Sequence, residues 1–241
     1  VEGLDLSKLV HRVGPLPIPD ACEIVRTTAV GLQYAHERGL IHRDIKPSNL
    51  VLRVPESSRH SPSAVLPPSL EPAREGTPGA SADGTRRVPA TFGAAGVVKI
   101  LDLGLALLQG PHADDAGADM TGTGQAMGTA DYMAPEQATD SHNVDIRADI
   151  YSLGCTLYKL LSGHAPFSGP KYKSNLEKMA AHLRDPVPPI RELRPDVPEE
   201  LAALLDRMLA KEPADRFATP GDVAAALTSL SLRERAGVRA C

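Results

Sequence analysis

A carboxylate, an ammonium group and an amide stand close together in the polar string His42-Arg43-Asp44-Ile45-Lys46-Pro47-Ser48-Asn49, at Asp44, Lys46 and Asn49. A carboxylate can take a proton or orient a hydroxyl, a lysine brings a compact positive charge, and carboxylate and amide oxygens suit hard cations. The set fits chemistry on an anionic group that carries a hard cation. A second acid opens Asp102-Leu103-Gly104 directly after the apolar run Val97-Val98-Lys99-Ile100-Leu101, and a third, Asp149, stands at the start of an apolar helix. Each has an ordinary reading when taken singly. One acid in a polar loop is usually structural, most Asp-x-Gly strings are turns, and an Asp opening a helix is normally an N-terminal charge or cap. The weight lies in their combination.

Asp, Lys two residues later and Asn five residues later, between short apolar pieces, match the catalytic loop of protein kinases. The chain resembles the eukaryotic-like serine/threonine protein kinases of bacteria. The resemblance implies ATP and Mg2+ as cofactors and serine or threonine hydroxyls of proteins as acceptors, Lys46 being the residue that favours Ser/Thr over Tyr. It casts Asp44 as the group that orients the acceptor hydroxyl, Lys46 as the charge beside the transferring phosphoryl group, and Asn49 as an oxygen ligand to magnesium. Asp102 becomes the second metal ligand. Leu103 stands where the family usually has Phe and is expected to pack against His42, with Gly104 completing the motif. Val51 falls beneath the adenine ring.

The resemblance continues in Gly128-Thr129-Ala130-Asp131-Tyr132-Met133-Ala134-Pro135-Glu136, which is similar to the end of a kinase activation segment. It implies that Thr129 bridges Asp44 and Lys46, and that Glu136 is buried and paired with Arg216 of Pro213-Ala214-Asp215-Arg216-Phe217. Asp149-Ile150-Tyr151-Ser152-Leu153-Gly154 resembles the start of the central kinase helix, with Asp149 accepting backbone amides around His42 and Arg43. Arg43 is cast as the receiver of an activation-loop phosphate. Thr121 and Thr123 are candidates for that phosphate; incidental threonines in a Gly/Ala/Asp-rich loop are the alternative.

The elements around these motifs read as mainly α. A short helix is expected over Asp5–Val13, ending at Gly14-Pro15. A second is expected to be capped by Asp20, with Glu23 closing a capping box, and to run along Ile24, Val25, Thr28, Ala29, Leu32 and Ala35 to Gly39. Leu40-Ile41 and Leu50-Val51-Leu52 read as strand pieces, and Val97–Leu101 as a strand. A helix apolar nearly all round is expected over Ala148–Leu161 and belongs in the middle of the domain. An amphipathic stretch covers Glu199–Leu209. The last helix has Thr219 as cap, Pro220 at its first position and Asp222 at its third, with Val223, Ala226, Leu227 and Leu230 facing the core. The fold class implied is a protein-kinase-like large lobe: a helical bundle around a buried central helix, with short β-hairpins. It spans residues 1–232 from the inter-lobe hinge to the last helix, and residues 233–241 form a loose tail.

Residues 53–96 interrupt it. This stretch is rich in Pro, Ser, Gly and Ala, and its seven prolines each remove a backbone donor, so it is expected to be a disordered insertion. A docking or phosphorylation role through its serines is the alternative to a functionally quiet segment. Its arginines alternate with acids, which reads as a solvated stretch.

With 241 residues and a formal net charge of -4, the chain suits one domain and does not look like a nucleic-acid binder. Cys22, Cys155 and Cys241 are too far apart for a disulfide framework or zinc site. No apolar run is long enough to span a bilayer, and a cytoplasmic location is expected. Upstream of Asp44 there is no Gly-rich phosphate loop, and the one lysine there is Lys8. Val1-Glu2-Gly3 resembles the hinge, so the chain is expected to carry the large lobe without the small one. It is then expected to bind Mg-ATP weakly alone and to offer a docking face to a small lobe or a partner. A non-catalytic kinase-like module and a small-molecule phosphotransferase are the competing readings. Retention of Asp44, Lys46, Asn49 and Asp102 argues against the first. Lys46, the stretch from Thr129 to Glu136 and the Glu136–Arg216 match argue against the second.

Overall fold

The computed structural model describes residues 3–53, 97–101, 129–139 and 144–235. At its centre lies α4 (Ile146–Ser162), which is buried along nearly its whole circumference. Asp145 caps its start, accepting from the Arg147 amide at 2.8 Å, and the Arg147 side chain folds back on the same carboxylate and holds it below the usual carboxylate range. Gly163 ends it at φ 86, a left-handed conformation that only glycine adopts at little cost, with its amide on the Lys159 carbonyl.

Around α4 pack α2 (Ile18–His36), α6 (Ile190–Leu193), α7 (Glu199–Met208), α8 (Pro220–Arg235) and the short α3 (Pro135–Thr139). The apolar face of α2 predicted from its spacing is the buried one, including Ile24, Val25, Thr28, Ala29, Leu32 and Ala35. Helix α8 docks through Val223 and Leu227 on the same core, and Thr219 and Asp222 form a reciprocal capping pair at its start. Helix α1 (Leu6–Val13) buries Leu6, Leu9 and Val10, and α5 (Asn175–Arg184) opens with a capping box between Ser174 and Glu177.

One three-stranded antiparallel sheet lies beside the helices in the order β1 (Leu4–Asp5), β2 (Leu50–Arg53), β3 (Val97–Ile100). Arg53 pairs with Val97 and Leu50 with Ile100. The chain therefore leaves and re-enters one sheet across residues 54–96, and that segment, expected to be a disordered insertion, lies outside the described residues.

Several expectations are corrected. Asp5 is the N-cap of α1, accepting from the Lys8 amide at 2.8 Å, and also belongs to β1. Helix α2 begins at Ile18 behind Pro17, so Asp20 lies in its first turn and Glu23 pairs with Arg26 instead of closing a capping box. The two prolines, which need no amide acceptor, set the start earlier than the side-chain pattern did. Leu40-Ile41 is not a strand. The last helix runs to Arg235, so residues 233–235 are helical where a loose tail was expected. Helices α3, α5 and α6 were not anticipated.

A buried polar cluster links α4 to α5. His182 is 1% exposed, its Nδ1 lies 2.8 Å from the Tyr151 hydroxyl, and its ring stands edge-on to Phe167. Lys211 donates to the His182 carbonyl at 2.8 Å, and burial pulls its own pKa down to about 8. Burial first, and the Lys211 charge second, lower the His182 pKa to about 3. An unfolded histidine titrates near 6.5, so below that pH the unfolded chain takes up a proton that the folded chain refuses. Folding stability should therefore be complete above about pH 6.5 and fall by about 1.4 kcal/mol per pH unit from there toward pH 3 on account of this residue. Urea unfolding of the chain and of His182→Phe, each followed through this range, should show the steeper acid loss only in the parent.

Candidate active site

The loop between α2 and β2 is pinned from below. Asp149, on the first turn of α4 and fully buried, accepts the His42 amide at 2.8 Å on one carboxylate oxygen and the Arg43 amide at 2.7 Å on the other. Burial raises the Asp149 carboxyl pKa, while the two amide donors and the nearby Arg43 charge oppose that rise. Arg43 is held at φ 65, a region a residue with a Cβ seldom visits. Its carbonyl is taken by the Gln137 amide at 2.8 Å. Both faces of this unusual peptide unit are thus fixed by side chains from elsewhere in the chain.

His42 joins the loop to the end of β3. The Asp44 amide donates to its Nδ1 at 3.3 Å, which assigns the ring proton to Nε2, and Nε2 donates to the Leu101 carbonyl at 2.8 Å. The loop thereby holds the residue immediately before Asp102.

On this platform Asp44, Lys46, Asn49 and Thr129 converge. Lys46 Nζ lies 2.7 Å from Asp44 Oδ2 and donates to Thr129 Oγ1 at 2.9 Å. Asn49 Nδ2 donates to the Asp44 carbonyl at 2.9 Å and to its carboxylate at 3.0 Å. With both amide protons committed to Asp44, the Asn49 side chain is left with its oxygen as the atom that can serve a cation. Thr129, expected to bridge Asp44 and Lys46, meets Lys46 through its hydroxyl. Asp44 remains partly open to solvent, its side chain 33% exposed.

The segment carrying Thr129 is tied down further along. Arg216, its side chain wholly buried, meets both oxygens of Glu136, at 2.6 and 2.8 Å. It also donates to the carbonyls of Ala210, Arg147 and Lys211, so all five guanidinium N–H groups are used. Its plane lies over the Tyr151 ring. The buried member of this pair is the arginine; Glu136, expected to be buried, keeps 18% of its side chain exposed at the rim of α3.

Comparison with known proteins decides the family. The sequence matches the protein kinase domain over residues 1–227. The chain belongs to the protein kinase family. It is 33% identical to the serine/threonine-protein kinase PknB of Mycolicibacterium smegmatis and 32% identical to PknE of Mycobacterium tuberculosis, each match covering 94% of this chain. Those matches span 29% and 31% of the two relatives, so the chain covers less than a third of their length. The fold is similar to the crystal structure of the Mycobacterium tuberculosis PknI kinase domain, with a TM-score of 0.56, 24% identity, and coverage of 95% of this chain and 63% of that one.

Of the kinase motif residues read from sequence, the structure brings together His42, Arg43, Asp44, Lys46, Asn49, Thr129 and Asp149, and pairs Glu136 with Arg216. Asp102, Leu103, Gly104, Thr121 and Thr123 lie outside the described residues. Val51, expected to be an open floor, is buried, because β1 pairs along β2 and Gly3 sits so close that a Cβ there would overlap the Val51 side chain. Two contributors went unnoticed. Gln137 accepts from the Ala134 amide and donates to Arg43, and Ser152 of α4 donates to the Tyr132 carbonyl at 2.7 Å. A glutamine after Glu136 and a serine in an apolar helix gave no sequence signal that they joined two loops.

Removing Asp149 should cost more than a surface acid would. Asp149→Ala leaves two buried amides without acceptors, at about 1–3 kcal/mol each, and should raise hydrogen exchange at residues 42–44 before global unfolding. Arg216→Ala strands Glu136 and three carbonyls and should destabilise by about 3–5 kcal/mol in urea unfolding, without the selective loosening of that loop.

Proposed function

We propose that this chain is the substrate-side half of a serine/threonine protein kinase domain, transferring the γ-phosphate of ATP to serine or threonine hydroxyls of proteins. The observation that carries the reading is the cluster of Asp44, Lys46, Asn49 and Thr129, which joins the catalytic loop to the segment that follows the activation loop. Asp44 accepts the hydrogen bond of the incoming hydroxyl and turns its oxygen toward the phosphoryl group. Lys46 keeps Asp44 and Thr129 in register and places its charge beside the transferred group. Arg43 faces an activation-loop phosphate, and Thr121 and Thr123 are the candidates to carry it. In the sequence Asp102 and Leu103 follow directly after Leu101, whose carbonyl His42 holds.

The donor set fits magnesium bound together with a nucleotide. Asn49 offers one neutral oxygen, and among the described residues no group of three or more His, Cys, Asp or Glu could hold a metal alone. Magnesium characteristically takes few protein ligands and completes its shell with phosphate and water. We assign Asn49 and Asp102 as those ligands; the ion would supply neutralisation of charge on the phosphates. Among the described residues no helix is long and apolar enough to cross a membrane.

The 241 residues of the chain hold one lysine upstream of the catalytic loop, Lys8, which lies in α1 beside Asp5, and contain no Gly-rich phosphate loop. Transfer by this chain alone is therefore expected to be slow, and a small lobe or an equivalent partner would complete the nucleotide site. A single-turnover assay with excess chain, labelled ATP and a Ser/Thr peptide tests both parts. Slow, magnesium-dependent transfer that drops by about 10²–10⁴-fold in Asp44→Ala supports the reading. Transfer indifferent to Asp44→Ala overturns the assignment, and rapid multiple turnover by the parent overturns the need for a second half.

A further inference from the structure

Away from the catalytic loop, α1 and the last turn of α4 border an open pocket of about 430 Å³. Lys8, His11 and Arg12 of α1 line it from one side and Lys159 from the other, with Ser7 and Gly163 between, and among the described residues none that lines it is acidic. Spacings of three and four residues put the three α1 side chains on one helical face. Lys8 is paired with Asp5, whereas among the described residues His11, Arg12 and Lys159 have no acidic partner.

Cations are favourable at helix C-termini, and the last turn of α1 holds His11 and Arg12 while that of α4 holds Lys159. At the end of α4, however, the carbonyls have other partners. In α4 the terminal carbonyls are already used: Tyr158 by the Ser162 hydroxyl, Lys159 by the Gly163 amide, Leu160 by the Leu16 amide and Leu161 by Arg194. In α1 the Val10 carbonyl is taken by Gly14. Side chains from two helices thus converge on one pocket, in a chain whose overall charge is -4.

We propose that this cavity is a docking site for a phosphorylated segment of a protein. A compact dianion with several acceptor oxygens suits a site of this volume ringed by guanidinium, ammonium and imidazole groups. An extended polyanion suits it poorly, since the acidic remainder of the chain would repel it. The choice of a phosphorylated protein as occupant rests on the kinase reading, because that reaction makes such segments; the electrostatics of the cavity do not. The site would retain a substrate that already bears one phosphate while Asp44 addresses a second hydroxyl.

Fluorescence anisotropy with a labelled threonine peptide, in phosphorylated and unphosphorylated forms, tests this independently of catalysis. The phosphorylated form should bind the full chain at least ~10-fold more tightly, and more weakly as salt rises. The preference should vanish in R12Q/K159Q and in the surface pair K8Q/R12Q, with unchanged thermal unfolding in the latter, and should persist in Asp44→Ala and Arg43→Gln. Equal binding of both peptides, or a preference that survives both double variants, overturns the proposal. So does a preference lost only in Arg43→Gln, or capture of phosphatidylserine vesicles without any phosphopeptide binding. If the preference holds while the phosphoryl-transfer assay fails, the docking site stands and only the proposed transfer by this chain alone falls.

Discussion

A single buried carboxylate holds the site to the fold. Asp149 is withdrawn from water entirely, at a cost that only paired hydrogen bonds can offset, and the two amides that offset it belong to consecutive residues of the catalytic loop. Consecutive amides reach one carboxylate only if the backbone turns sharply between them, and the left-handed Arg43 is that turn. Strain in the loop and burial of the acid are therefore two sides of one arrangement. Neither would persist without the other, and together they set the position of Asp44, the next residue.

The same helix serves the rest of the site because it is buried all round. Residues advance about 100° per position along an α-helix, so Asp149, Tyr151 and Ser152 leave α4 in three directions. Asp149 goes to the catalytic loop, Ser152 to the Tyr132 carbonyl ahead of α3, and Tyr151 to His182 on α5. A surface helix could present only one such face. A central helix converts adjacent positions in sequence into anchors for segments far apart in the chain, and Arg216 performs the complementary task from the far side of α3 by spending every donor it has.

Much of this was legible before any coordinates. The apolar periodicity of α2, the all-round apolar run of α4 and the Thr219-Pro220-Asp222 start of α8 are local signals, and they gave the elements with their faces. The candidate site residues stood out because their types are unusual at that spacing and match a known pattern. The misses have physical causes too. Pro17-Ile18-Pro19 starts α2 through fixed φ angles rather than through the acid that follows, and the α5 capping box at Ser174 and Glu177 was present in the sequence but lay among residues of weak apolar pattern. Gln137 could not be read at all, since its value lies in joining the Ala134 amide to the Arg43 carbonyl, a relation that exists only after folding. The burial of Val51 depends likewise on the approach of Gly3 across β1, which no property of the strand itself announces.

The distribution of positive charge follows from the same accounting. Cations inside or near the core are committed: Lys46 to Asp44 and Thr129, Lys178 to Asp131 at 2.6 Å, Lys211 to the carbonyls ending α5, and Arg216 to five acceptors. Burial enforces this, because an unmatched charge in low dielectric would cost more than the domain's margin of stability allows. Cations at the surface are under no such obligation, and most are simply solvated. A lone exposed lysine therefore carries no information. Lys8, Arg12 and Lys159, with the His11 imidazole beside them, are another matter: they come from two helices to one pocket, and no packing of the core requires them to converge.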